Sequence, residues 1–290
     1  MDTNLQKYIA FVETIELGSF TKAAKKLNYS QSGISRMIAD LEKEWNISLL
    51  DRNKSGLSLT SDGKFLYSYI KNLNNDYQKL MSAVDELNGL QSGTIRIGTF
   101  SSVATHWLPK IIAAFKKDYP KIEFELLLGD YHEIEEWITN GRVDLGFIRT
   151  PNSKNFDTIP LEQDPLMVIL PEDSPFKDYT EFPTDKLNDM KFILLDKNRN
   201  SLLIDYFEEN NIHPDIQFTT WDDYAIMSMV ENGLGISILP KLILQKCSYK
   251  ILAKPLSKPL NRQISVAMKN RQTMSLASQK LLDYLTYRAK

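Results

Sequence analysis

Apolar residues recur at helical spacing through the first fifty positions. Leu5, Tyr8, Ile9 and Val12 share one face of a first helix. Phe20, Ala23, Ala24 and Leu27 share one face of a second, and the adjacent alanines predict a close helix crossing. Ser19 stands where it can cap that helix, Asn28-Tyr29 breaks it, and Ser30 can cap a third. In the third helix Ile34, Ile38 and Leu41 point inward. Gln31, Ser32, Ser35 and Arg36 are left on the opposite side, near its N-terminus.

The period then narrows. Leu66, Ile70, Leu73, Tyr77, Leu80, Val84 and Leu87 follow one another in steps of 4, 3, 4, 3, 4 and 3, the spacing of a coiled-coil seam. No proline or glycine interrupts the stretch between Gly63 and Gly89. One long helix with a narrow apolar seam fits a partner helix better than a broad core. Asn88-Gly89-Leu90-Gln91-Ser92-Gly93 ends it as a hinge. Beyond the hinge, short apolar strands alternate with helical stretches, beginning at Thr94–Gly98, Trp107–Tyr119 and Ile122–Leu128 and closing with an amphipathic helix at Leu276–Tyr287. That alternation predicts parallel βαβ units. Pro160, Pro165, Pro171, Pro175 and Pro183 cluster where a first set of units gives way to a second, so two α/β lobes are expected.

Composition narrows the function. Thirty-five Lys+Arg against 37 Asp+Glu leave a net charge of −2, so any nucleic-acid contact must be local. A single cysteine, Cys247, excludes an internal disulfide and an all-cysteine metal centre within one chain. The N-terminus lacks the basic-then-apolar layout of a signal peptide, and apolar runs are too short to span a bilayer, so a cytoplasmic location and no membrane partner are expected. His106, His132 and His213 lack metal-ligand spacing, Cys247 has no nearby histidine in sequence, and no phosphate loop is present. Gly233-Leu234-Gly235 follows a helix and precedes a strand, the reverse of a dinucleotide motif. Neither an enzyme nor a metal or other cofactor is expected.

The third helix suits duplex DNA. A helix in the major groove reads bases with polar side chains on its first turns, glutamine pairing with adenine and arginine with guanine. A small three-helix bundle with an idle polar face fits these side chains equally well. The stretch from Tyr8 to Gly63 decides between them. Phe11, Gly18-Ser19-Phe20, Ala23-Ala24, Leu27, Ser30-Gln31-Ser32, Ser35, Leu41-Glu42, Arg52, Leu59-Thr60 and Gly63 at this spacing strongly resemble the winged helix-turn-helix of LysR-type transcriptional regulators. Gly33 departs from the alanine or proline usual in that family, and Leu50-Asp51 replaces its phenylalanine-plus-variable pair.

The resemblance implies an α/β multidomain chain. A winged helix-turn-helix occupies 1–60, a linker dimerisation helix 61–90, and a two-lobed periplasmic-binding-protein-like effector domain 91–290. Lobe I is expected at about 91–160 and 267–290, and lobe II at about 161–266. Double-stranded operator DNA, a small-molecule effector, a second copy of the chain and, through promoter access, RNA polymerase are the implied partners. A homodimer is expected, extending to a homotetramer on two DNA sites.

Gln31, Ser32, Ser35 and Arg36 would read DNA. Arg52 and Lys54 of the wing turn Arg52–Gly56 would meet phosphates, unless Arg52 makes a structural ion pair. The family's effector contacts carry over to Ser101 and Ser102 after the first strand, to Thr150 with Arg149 beside it, to Asn198 or its neighbours, and to the loop at Thr220-Trp221. A carboxylate effector with Arg149 supplying charge is the preferred ligand. Singly, the serines could be plain helix caps, Arg149 a salt-bridge partner and Trp221 a packing residue. Two rivals remain: a carrier-type or enzymatic α/β domain fused to a helical module, and a DNA-binding protein without a ligand.

Overall fold

The computed structural model describes residues 5–51, 57–87, 93–151, 154–196 and 202–289. Arg52, Lys54 and Asn198 lie outside the described residues, as does the side chain of Leu87. The chain divides into two compact units, the first formed mainly by Met1–Gly89.

In the first unit α1 (Leu5–Glu16), α2 (Phe20–Leu27) and α3 (Gln31–Trp45) precede a two-stranded ribbon, β1 (Leu50–Asp51) with β2 (Ser58–Leu59). The long helix α4 (Ser61–Leu87) follows. Both expected caps form: Ser19 accepts the Lys22 N–H, and Ser30 accepts the Gly33 N–H at 3.0 Å. Asn28 ends α2 in the left-handed region, at φ 57°. The core joins Phe11, Ala23, Ala24, Ile34, Ile38, Leu41 and Leu49. The buried face of α1 is rotated from the expected one. Ala10, Phe11, Val12 and Thr14 lie inside, while Leu5, Tyr8 and Ile9 are half-buried. The cause is α4, whose Tyr67 ring meets Phe11 edge-on at 6.2 Å and draws Phe11 to the centre.

Conserving the turn into α4 falls to a few atoms. Glu42 Oε1 accepts the backbone N–H groups of Leu49 and Leu50 at 2.7 and 3.0 Å. Thr60 donates its hydroxyl to the Ser48 carbonyl and accepts the Gly63 N–H at 2.9 Å. A β-carbon on Gly63 would stand 2.1 Å from the Leu49 carbonyl oxygen, so only glycine allows α4 to pass this close.

The expected seam of α4 divides in two. Leu66 and Ile70 pack into the unit's own core. Phe65, Tyr69, Leu73, Leu80 and Val84 are instead 41–66% exposed, and at 100° per residue they fall within an arc of about 100°. The open stripe therefore begins on the neighbouring aromatic pair Phe65 and Tyr69, whose rings stand 5.5 Å apart.

The second unit contains β3 (Gly93–Thr99), α5 (Ser101–His106), α6 (Leu108–Asp118), β4 (Ile122–Leu128), α7 (Tyr131–Thr139), β5 (Leu145–Thr150) and β6 (Asp157–Pro171). After these come β7 (Lys191–Leu195), α8 (Leu202–Glu209), β8 (Asp215–Thr220), α9 (Asp223–Glu231), β9 (Ser237–Pro240), β10 (Ile251–Pro255), β11 (Asn261–Met268) and α10 (Leu276–Asp283). A short 3₁₀ turn, Leu285–Ala289, replaces the end of the expected last helix.

The sheet is mixed rather than parallel throughout. β3 pairs parallel with β4 and β5, and β7 parallel with β8, but β11 runs antiparallel to both β5 and β6. β6 then continues to pair antiparallel with β9 and β10. It contains three of the prolines read as a boundary: Pro160, Pro165 and, at its end, Pro171. Pro160 faces Ser265 beside a bulge, and Pro165 faces Asn261 where β6 leaves β11, so neither missing N–H breaks the ladder.

Two main cores result. One gathers Ile95, Ile97, Phe115, Phe147 and Val266; the other gathers Val168, Phe182, Phe192, Phe207 and Ile238. The expected lobe boundaries at 160/161 and 266/267 fall inside β6 and β11. Residues 263–266, expected in lobe II, pair with β5 in the first sheet because Ile264 and Val266 are core residues there.

Candidate functional site

The helix-turn-helix presents what the sequence places outward. Gln31, Ser32 and Arg36 are exposed, Ser35 is half-buried, and Ile34 and Ile38 behind them are fully buried. Ser32 Oγ lies 3.1 Å from the capping Ser30 Oγ, so one hydroxyl of the reading face also steadies the helix start. Arg36 touches Asp40 at 4.0 Å, one turn on, with both side chains in solvent. Such a contact is worth well under about 1 kcal/mol and leaves the guanidinium available. Of the nearby lysines, Lys26 is paired with Glu13 at 2.9 Å.

Within the second unit a cavity of about 360 Å³ lies among the loops after β3, β4, β5, β7 and β8. Ser101, Ser102, Arg149 and Trp221 line it together, as do Phe100, Tyr131, Asp223 and Arg262. Thr150 does not line it: its hydroxyl is 2.8 Å from Ser265 Oγ, across the β5–β11 pair. Helix α5, expected to offer its N-terminus to an anion, is only six residues long, and its cap residue Phe100 makes no side-chain cap bond. Neither serine is therefore the cap.

Arg262 organises the floor. Its Nε and Nη2 donate to Asp164 Oδ2 at 2.9 and 2.7 Å, Nη2 donates to Ser102 Oγ at 2.7 Å, and Nη1 donates to the Tyr131 hydroxyl at 2.8 Å. Its guanidinium lies 4.9 Å from the centre of the Phe100 ring. Asp164 completes the network by accepting the Leu242 N–H on Oδ1 at 3.0 Å. Arg262 and Asp164 stand opposite each other in the β6–β11 register, and both are buried. Arg149, by contrast, has no carboxylate partner among the described residues; its guanidinium rests 6.0 Å from the Tyr131 ring centre. Asp130, Glu135, Asp196 and Asp223 bring carboxylates to the same lining.

Comparison with known proteins gives the chain its family. The profile described as "LysR substrate binding domain" matches residues 88–290, and that of "Bacterial regulatory helix-turn-helix protein, lysR family" matches residues 5–64. The chain belongs to the LysR family. It is a LysR-type transcriptional regulator with a C-terminal substrate-binding domain. It is 30% identical over 278 residues to the uncharacterised HTH-type transcriptional regulator YvbU of Bacillus subtilis (strain 168), covering 94% of each chain. Among solved structures it resembles HinK, a LysR family transcriptional regulator from Pseudomonas aeruginosa, with a TM-score of 0.61, 28% identity and coverage of 99% and 98% of the two chains. A full-length single-residue variant of OxyR from the same organism shares the fold, with a TM-score of 0.75, 20% identity and coverage of 99% and 95%.

In this LysR regulator Arg262 and Asp223 are cavity residues that no local sequence signal marks. Arg262 opens a strand, where a lone arginine reads as a surface charge. Asp223 follows Asp222, which caps α9 by accepting the Tyr224 and Ala225 N–H groups and so explains one acidic residue without the other. Burial pushes the Asp223 carboxyl up to about 6 from an ordinary value of 3.8, while the Arg262 guanidinium and a hydrogen bond with Ser101 oppose the rise. A raised carboxyl pKa gives stability that is full below the unfolded value and lost as pH rises through about 6. Asp223→Asn is therefore expected to stabilise the chain by about 1–3 kcal/mol near neutral pH and by almost nothing below about pH 4. Urea denaturation at the two pH values checks both the sign and its disappearance.

Proposed function

We propose that this regulator reads operator DNA as a dimer through Gln31, Ser32, Ser35 and Arg36. Arg52 and Lys54 of the wing would take phosphates, and a small-molecule effector between the two lobes would set the outcome. The observation that supports the DNA reading most is the outward turn of Gln31, Ser32 and Arg36 on a helix locked from behind by Ile34 and Ile38. The dimer reading rests on the apolar stripe of α4, which a second copy of the same helix covers in register.

For the effector, Arg149, which has no carboxylate partner among the described residues, favours a ligand with an anionic group. The lining carboxylates favour hydrogen-bond donors elsewhere on the same molecule. We therefore read the ligand as a small acid bearing hydroxyl or amino groups, held by Arg149, Ser101, Trp221 and the loop that includes Asn198. We read the role as binding rather than catalysis, because both profiles that match the chain belong to a family of transcriptional regulators. No helix among the described residues is long and apolar enough to cross a membrane, and the protein would act in the cytoplasm, where its DNA and RNA polymerase are.

Effector binding acts by unequal affinity for two arrangements of the assembly, shifting their populations. Gln31→Ala and Arg36→Ala are each expected to weaken specific operator binding by about 1–3 kcal/mol with the fold intact. Footprinting over the gene's own upstream region measures this; unchanged protection in both variants rejects the reading face. Arg149→Ala is expected to leave DNA binding unaltered while removing the thermal stabilisation that an active metabolite gives the parent protein.

A further inference from the structure

The second unit holds another cavity, of about 350 Å³, which the regulatory reading leaves without a role. Its walls are the end of α5, the start of α6, α9 and the segment 243–249. That volume lies in the range of small-molecule sites. The chemistry of the walls is one-sided. No lining residue carries a carboxylate, whereas Lys110, Lys246 and His106 all stand in the walls, the Lys110 ammonium donating to the Arg288 carbonyl at 3.3 Å. Tyr224, Met227, Ile243 and Tyr249 supply apolar and aromatic surface.

Two local features set this cavity apart from an ordinary crevice. Nε2 of His106, a residue of the cavity wall, is shielded from solvent and has no hydrogen-bond partner among the described residues. A buried polar atom left open in this way is rare. Lys246 holds a φ of 58°, in the left-handed region that a long side chain seldom adopts. Such a backbone outlier directs attention to a function at the residue that carries it.

We propose that this cavity is a second small-molecule site, separate from the cavity around Arg262, and that it takes an aromatic anion such as an aryl carboxylate or sulfonate. Lys246 meets the anionic group, joined by Lys110 once its ammonium turns from the Arg288 carbonyl, and Tyr224 and Tyr249 flank the ring. The two cavities share their framework. Ser101 and Ser102 at one end of α5 face the first, and Thr105 and His106 at its other end face the second. Asp223 and Tyr224, adjacent on α9, divide between them in the same way, and the Tyr224 hydroxyl lies 3.5 Å from Thr105 Oγ1. An occupant of the second site thus bridges an element of the first core and one packed on the second lobe, a position from which it biases their spacing.

A fluorescence titration of the full-length protein with anilinonaphthalene sulfonate tests this. Saturable binding is expected in the parent protein and in Arg149→Ala. Charge reversal in Lys110→Glu/Lys246→Glu is expected to weaken it by about tenfold or more, and Lys246→Gln by about threefold. Phenylnaphthylamine, which lacks the sulfonate, should bind the parent and the double variant alike. Both lysines are exposed, so the fold should persist, and a thermal melt verifies it. Absence of saturable binding to the parent protein overturns the proposal. So does equal affinity in the charge-reversed protein, or loss of all binding in Arg149→Ala.

Discussion

Arg262→Met is expected to destabilise the second unit by about 3–5 kcal/mol, because it removes one half of a buried ion pair and strands the other. Asp164 is only 2% exposed and would keep a charge with the Leu242 N–H as its one remaining hydrogen-bond donor. Ser102 and Tyr131 would also lose the donor that fixes them at the cavity wall. The effect comes from the stranded charge more than from the lost attraction, and a second substitution separates the two. Asp164→Asn removes the charge yet keeps an acceptor for Leu242, so the pair Arg262→Met/Asp164→Asn should recover more than half of the loss. Urea denaturation of the four proteins completes the cycle. Additive losses would show that Arg262 acts through packing alone. The same guanidinium ties α5, α7, β6 and the segment after β9 at the point where β6 and β11 run from one core toward the other. Its removal should therefore alter effector response even where the chain still folds.

Arg262 also shows where sequence reading stops. Its meaning depends on Asp164, 98 positions away, and on a strand register that no local pattern announces. Local features fared differently. Ser19 and Ser30 cap because a hydroxyl three residues ahead of a free N–H needs nothing distant, and Ile34, Ile38 and Leu41 lie inside because their spacing alone defines a face. Where neighbours from afar decide, the pattern misleads. Phe11 rather than Tyr8 centres α1, since α4 packs there; β6 runs through prolines placed at a bulge and a strand end; and β10, a five-residue strand that pairs with β6, has no local pattern that announces it. At the cavity, the turns carrying Ser101, Arg149 and Trp221 converge as expected, because strand ends of one α/β unit face one crevice. Thr150 fails for a simple geometric reason: in β5 it is turned toward the neighbouring strand, where Ser265 meets it.

The largest effect on assembly should come from Leu73→Asp/Leu80→Asp in the open stripe of α4. Each leucine buried against a partner helix contributes about 1.5–3 kcal/mol. The double variant removes four of them from a two-fold dimer, and it sets like charges near one another. Even at half that value the dissociation constant should rise by about a hundredfold or more. The single chain should remain folded, because Leu73 and Leu80 are already exposed within it. Substituting Leu66 or Ile70 instead should unfold the first unit, since these residues belong to its core. Sedimentation equilibrium distinguishes the cases: a folded monomer is expected from the stripe variant, and a dimer that survives it would move the interface elsewhere. DNA binding should fall with the dimer. One reading unit offers about half the phosphate contacts of two, so the residual affinity of the monomer should show about half the salt dependence of the parent protein. A stripe variant that lost affinity while keeping the full salt slope would mean that both units still engage DNA together, and that α4 positions them without joining them.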